Sequence, residues 1–151
     1  MSQRSSPRTR HFAMPAVLAV AALAAGLAAM PAPAHALDLT VEVTGSRSDR
    51  GFVSAALYSE ATGWLKQTMR ADRVAAGPRA VIVFRDLPAG TYALAVMHDE
   101  NGNGQLDRNV VGVPTEPYGF SRDARGVFGP PKWEDAVLML DASVALQLKM
   151  Q

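Results

Sequence analysis

The 151-residue chain contains no cysteine, so it can form no disulfide, present no thiol nucleophile and carry no lipid on a cysteine at a processing site. Acidic side chains are missing before Asp38, where Arg4, Arg8 and Arg10 supply the only formal charge. Those arginines are never adjacent, which excludes a twin-arginine export signal. No cluster of lysine and arginine follows them, so there is nothing to neutralise a run of phosphates, and nucleic acid is excluded as a partner. A long segment of helical period is also missing, and turn residues recur throughout.

What is present begins with an export signal. After the three arginines the chain is apolar from Phe12 to Met30, then reaches Pro31, Pro33 and Ala34-His35-Ala36. That is the basic, apolar and small-residue order of a secretory leader, with cleavage expected after Ala36. A membrane anchor is the competing reading, but the stretch is mostly alanine, is broken by Pro15 and Gly26, and ends in a cleavage-type triplet. The expectation is therefore a leader over 1–36 and a product over 37–151 that is periplasmic or secreted through the general route and not held in a membrane. Three of the 15 basic residues leave with the leader, so the product holds 12 against 14 acidic residues, a net charge of −2. Its length suits one domain with one core.

Leu37-Asp38-Leu39-Thr40-Val41-Glu42-Val43 alternates apolar and polar residues, the pattern of a strand with one buried face. Phe52 to Tyr58 reads as a second strand, and Ser59 to Pro78 as a loop with a helical turn and one weak strand. Ala80 to Phe84 and Tyr92 to Met97 are rich in β-branched and aromatic residues. Asp86-Leu87-Pro88-Ala89-Gly90 between them predicts a hairpin. Ala136 to Leu140 and Val144 to Met150 read as a last pair of strands joined by Asp141-Ala142-Ser143. The pattern predicts an all-β fold, a single antiparallel β-sandwich of about seven strands with one long ordered loop. Leu39, Val41, Val43, Val81, Val83, Leu94, Val96, Leu146 and Leu148 are the expected core, and a monomer is the expected state.

The long loop runs from His98 to Asp135, 38 residues with a possible short strand near Val110. Loops of that length are functional, disordered or internally packed, and the apolar content here opposes disorder. It opens His98-Asp99-Glu100-Asn101-Gly102-Asn103-Gly104-Gln105-Leu106-Asp107. Oxygen-bearing side chains at Asp99, Asn101, Asn103 and Asp107, with glycine at Gly104, match the first, third, fifth, ninth and sixth positions of a calcium loop. The twelfth position departs from it, because Val110 stands where a bidentate glutamate belongs. The predicted ligands of Ca²⁺ are the side chains of Asp99, Asn101, Asn103 and Asp107 and the carbonyl of Gln105, with Glu116 or water completing the shell. The competing reading is a turn-rich loop that binds nothing.

Four blocks carry a resemblance to a known family. They are Asp86-Leu87-Pro88-Ala89-Gly90-Thr91-Tyr92-Ala93, the His98–Asp107 stretch, Gly112-Val113-Pro114-Thr115-Glu116 with Tyr118-Gly119-Phe120-Ser121, and Gly129-Pro130-Pro131 with Trp133-Glu134-Asp135-Ala136. In these blocks the chain resembles the exported bacterial proteins grouped as domain of unknown function 2141. The resemblance implies one exported domain, prealbumin-like or immunoglobulin-like, and assigns no activity. Trp133 stands where the resemblance leads one to expect phenylalanine.

Catalytic arrangements are poorly supplied. His98 is the only histidine beyond the leader, no Gly-x-Ser-x-Gly elbow exists, and zinc sites built on three histidines or on cysteine are excluded. The favoured reading of His98 is a strand-end residue bonding a loop carbonyl or carboxylate. Glu100, Asp107, Glu116, Asp123, Glu134 and Asp135 leave open a carboxylate-dependent hydrolase of envelope carbohydrate or peptide. Tyr118, Phe120, Phe128 and Trp133, with His98, form either a binding face or a small core beneath the loop. The leading expectation is a non-enzymatic binding or accessory module of the cell envelope whose partner the sequence does not name. A hydrolase and a purely structural domain are the alternatives.

Overall fold

Alternation along Leu37–Thr44 produces strand β1 in the computed structural model, which describes residues 36–151, and every second side chain from Leu37 to Val43 is buried. Phe52–Tyr58 forms β2, Arg70–Ala75 β3, Arg79–Leu87 β4 and Gly90–Asp99 β5. Tyr118–Phe120 is β6, Leu138–Leu140 β7 and Val144–Lys149 β8. One helical turn, α1 (Trp133–Ala136), and 3₁₀ turns at Ala61–Gly63 and Ser121–Asp123 are the other regular pieces among the described residues. The expected leader lies outside the described residues.

The strands make two sheets, β4-β1-β8 and β3-β2-β5-β6, with β7 bonded to the start of β5. All pairings are antiparallel except β1 with β8. The fold is the expected all-β sandwich, with eight strands among the described residues. Leu39, Val41, Val43, Ile82, Phe84 and Leu148 from one sheet meet Val53, Leu57, Tyr92, Leu94 and Val96 from the other in a single apolar cluster. Each fully buried large side chain there contributes roughly 1.5–3 kcal/mol of transfer free energy.

Several expectations are corrected. Asp86–Gly90 is not a hairpin, because β4 and β5 belong to different sheets. Pro88 and Ala89 turn the chain across the sandwich, and Tyr92 donates its hydroxyl to the Pro88 carbonyl at 2.8 Å. β7 and β8 likewise do not pair with each other. In β4 the buried face is Ala80, Ile82 and Phe84, while Val81 is 44 % exposed and Val83 half-buried. Val81-Ile82-Val83 has no alternation to read, and pairing with β1 decides the face by setting Ile82 opposite Val41. A bulge then shifts the register between Leu39 and Leu37, with Asp86 at φ 55°, and returns Leu87 to the core. No strand forms at Val110, which is fully exposed beside an isolated bridge between Arg108 and Pro114.

Candidate functional site

β5 ends inside the molecule rather than at its surface. His98 and Asp99 are both 0 % exposed, and each is buried by bonding loop backbone. His98 Nδ1 accepts the Arg47 N–H at 3.1 Å, and Nε2 lies 2.9 Å from the Arg50 carbonyl. Both ring nitrogens are thus engaged by backbone, and the ring straps β5 to the β1–β2 connection. This removes His98 from any surface binding face. Gly51 completes the contact: its φ is +72°, and a Cβ there would sit 2.0 Å from the Asp99 carbonyl oxygen.

Asp99 organises the following loop. Its Oδ1 accepts Gly102 N–H at 2.8 Å and Asn103 N–H at 3.1 Å, and its Oδ2 accepts Gly104 N–H at 2.8 Å. Asn101 and Asn103 cap the next amides in the same way and direct their own NH₂ groups to the two oxygens of Asp107, at 2.6 and 2.9 Å. Glu116, 6 % exposed, closes the loop across its neck by accepting Glu100 N–H and Asp107 N–H, each at 2.9 Å. Glu100 points to the other side, where it accepts the Ser48 hydroxyl at 2.6 Å and lies 3.7 Å from Arg47. The Ser48 bond, helped by His98, Arg47 and Arg50, holds its carboxyl below the usual range against an opposing effect of desolvation.

The donors suit a hard cation in kind, since all are oxygens. Asp99 has one of about four lone-pair sites left, and Asn101, Asn103 and Asp107 already converge. Half a turn of each amide would bring oxygen rather than nitrogen to that point. Among the described residues no group of three or more histidine or carboxylate side chains gathers as a metal cluster. The local set consists of two carboxylates and two amides. Asp123, Glu134 and Asp135 are exposed on the segment beyond β6, away from this loop in the chain.

The aromatic residues divide. Trp64 stands edge-on to Tyr58 and Trp133, with centroids 5.0 and 5.9 Å away, lies 5.9 Å from Phe120, and donates its indole N–H to the Pro131 carbonyl at 2.9 Å. Phe120 and Trp133 thus belong to a second core on the outer side of the β3-β2-β5-β6 sheet. Ser121 ties that core to β5, accepting Leu94 N–H at 2.9 Å and donating to the Ala136 carbonyl at 2.5 Å. Phe128 is fully exposed and takes no part in it.

Beside the second core the same sheet face is left open as a groove of about 830 Å³. Register places Ala71, Ala56, Ala95 and Phe120 in one row across four strands, and Arg73, Ser54, Met97 and Tyr118 in the next. The alanines make a low floor. Leu65 and Thr68 stand at one end, and Gly104, Leu106 and Arg108 bring the Asp99 loop to the wall. Sequence reading missed this site. The available signal was that outward positions of β2 and β5 are small or apolar, where a wet face would carry polar residues.

No curated protein and no solved structure matches this chain. A family model matches residues 41–147, from within β1 to within β8 and including the Asp99 loop, and the chain belongs to the bacterial family described as "Uncharacterized protein conserved in bacteria (DUF2141)".

Proposed function

We propose that this protein is an exported, non-enzymatic binding module of the cell envelope, periplasmic or secreted, that uses the groove on its second sheet and holds calcium in the Asp99 loop. The observation that carries the reading is the groove itself: an open, mostly apolar concavity on a sheet face, walled by the loop whose oxygens follow a calcium-loop spacing. Export is supported by Arg4, Arg8 and Arg10, the apolar stretch to Met30 and the Ala34-His35-Ala36 triplet. Asp99, Asn101, Asn103 and Asp107, with the Gln105 carbonyl, would hold the ion, and Glu116 is near enough in the chain's fold to fix the loop's two ends around it. Calcium would supply a charge centre that stiffens the groove wall at Gly104 and Leu106. Two of the four side-chain ligands are neutral amides, so the affinity falls in the weak range of extracellular modules, about 10⁻⁴ to 10⁻³ M.

Thermal unfolding in chelator, in millimolar calcium and in magnesium tests the reading, with Asp99→Ala alongside. Calcium at about 100 times its dissociation constant adds about 2.7 kcal/mol of stability, magnesium adds much less, and Asp99→Ala abolishes the difference. Equal melting of the wild type in all three would show that the loop binds no metal.

A further inference from the structure

We infer that the groove takes a monomeric single-chain amphiphile with an anionic head, the head held by Arg73 and Arg108. This deepens the binding-module reading and rests on it.

The groove has a direction. Along β2 the residues facing it are Ser54, Ala56 and Tyr58, and Ser54 lies opposite Arg73 while Ala56 lies opposite Ala71. The Arg73 row is the one nearer the end of β5, where the Asp99 loop departs and brings Arg108 to the wall. Both cations therefore stand at one end. The far end holds Tyr58 with Leu65, and Phe120 closes the alanine row between the two ends. From Ser54 to Tyr58 is about 13 Å at a strand's rise of roughly 3.3 Å per residue, enough for an alkyl chain of medium length lying over the alanine floor.

Neither arginine is spent on a carboxylate, because the ion pairs among the described residues use Arg47, Arg79 and Arg85. Arg73 stacks with its guanidinium carbon 4.5 Å from the centre of the Phe52 ring. Stacking uses the flat face and leaves the N–H edge free for a carboxylate or phosphate. Arg108 gives one N–H to the Gly112 carbonyl at 3.0 Å and keeps its others. The one acidic residue at the groove, Asp72, alternates away from Arg73 on β3 and accepts the Arg73 backbone N–H at 2.8 Å. Cationic donors at one end and an uncharged trough leading from them complement an anion joined to a chain.

Titration of the purified protein with monomeric dodecanoate, followed by calorimetry and tryptophan fluorescence, tests this. Acetate, dodecyltrimethylammonium and anionic phospholipid vesicles are the comparison arms. Saturable binding of dodecanoate at one site is expected, with acetate and the cationic chain at least about tenfold weaker. Arg73→Gln with Arg108→Gln should weaken dodecanoate at least about tenfold and leave the cationic chain unweakened. Ala56→Leu should fill the trough and abolish binding, and Ala71→Trp on the edge strand serves if that variant fails to fold. Equal affinity for both charged chains would overturn the head-group assignment while leaving the binding-module reading intact. No binding of any chain would overturn both. Binding to vesicles alone would show a membrane surface instead, and unchanged affinity in the trough variants would place the site elsewhere.

Discussion

Replacing Asp99 by asparagine exchanges one carboxylate oxygen for an NH₂ group and removes the charge. The carboxylate accepts three backbone N–H groups, two on Oδ1 and one on Oδ2, from a fully buried position. Asparagine keeps an oxygen for Gly102 and Asn103 but sets an NH₂ against the Gly104 N–H. Hydrogen bonds to a charged group contribute about 1.5–3 kcal/mol and neutral ones about 0.5–1.5 kcal/mol. Losing one bond and weakening two comes to roughly 3.5–6 kcal/mol on that scale. Gly102, Asn103 and Gly104 are themselves exposed, so water can reach the abandoned amides and the cost falls below that sum, to about 2 kcal/mol. Urea unfolding in the presence of chelator isolates this from any metal effect, with Asp107→Asn as the control. Asp107 receives only the side chains of exposed Asn101 and Asn103, so its loss costs under about 1 kcal/mol. The reasoning is refuted if Asp99→Asn lies within about 0.5 kcal/mol of wild type, or if the control costs as much.

Glu100 predicts a pH dependence. Its carboxyl is held below its ordinary 4.5, chiefly by Ser48, so the bond stabilises the fold fully above the unfolded value and is lost as pH falls through the lower folded one. Ser48→Ala should therefore be less stable than wild type near neutrality, with the gap closing in acid; urea midpoints showing a gap that stays constant from neutrality into acid would count against it. Export processing predicts a chain beginning at Leu37, and mass measurement of the protein recovered outside the cytoplasm checks it. An intact leader in that fraction would favour an anchor.

Where local pattern and tertiary environment agree, the sequence alone was sufficient. β1 alternates without a slip, so any partner that buries one face buries Leu39, Val41 and Val43. The oxygen spacing of the Asp99 loop is local in the same way, since its bonds run between residues two to six apart: Asp99 to Gly104, Asn101 to Asp107, Asn103 to Gln105. The clamp by Glu116 spans 16 residues from Glu100, and no spacing rule announces which oxygen will meet which amide across that distance. In β4 the uninterrupted run Val81-Ile82-Val83 is satisfied by either face, and only pairing with β1 chooses. The Pro88-Ala89 turn is written in the chain, but whether it joins neighbours in one sheet or crosses between two depends on where β1 and β2 already lie. The groove is further still from the sequence. Ala71, Ala56 and Ala95 become a floor only because three separated strands align them in one row, and Arg73 and Arg108 line the same groove only because the Asp99 loop comes back to its wall.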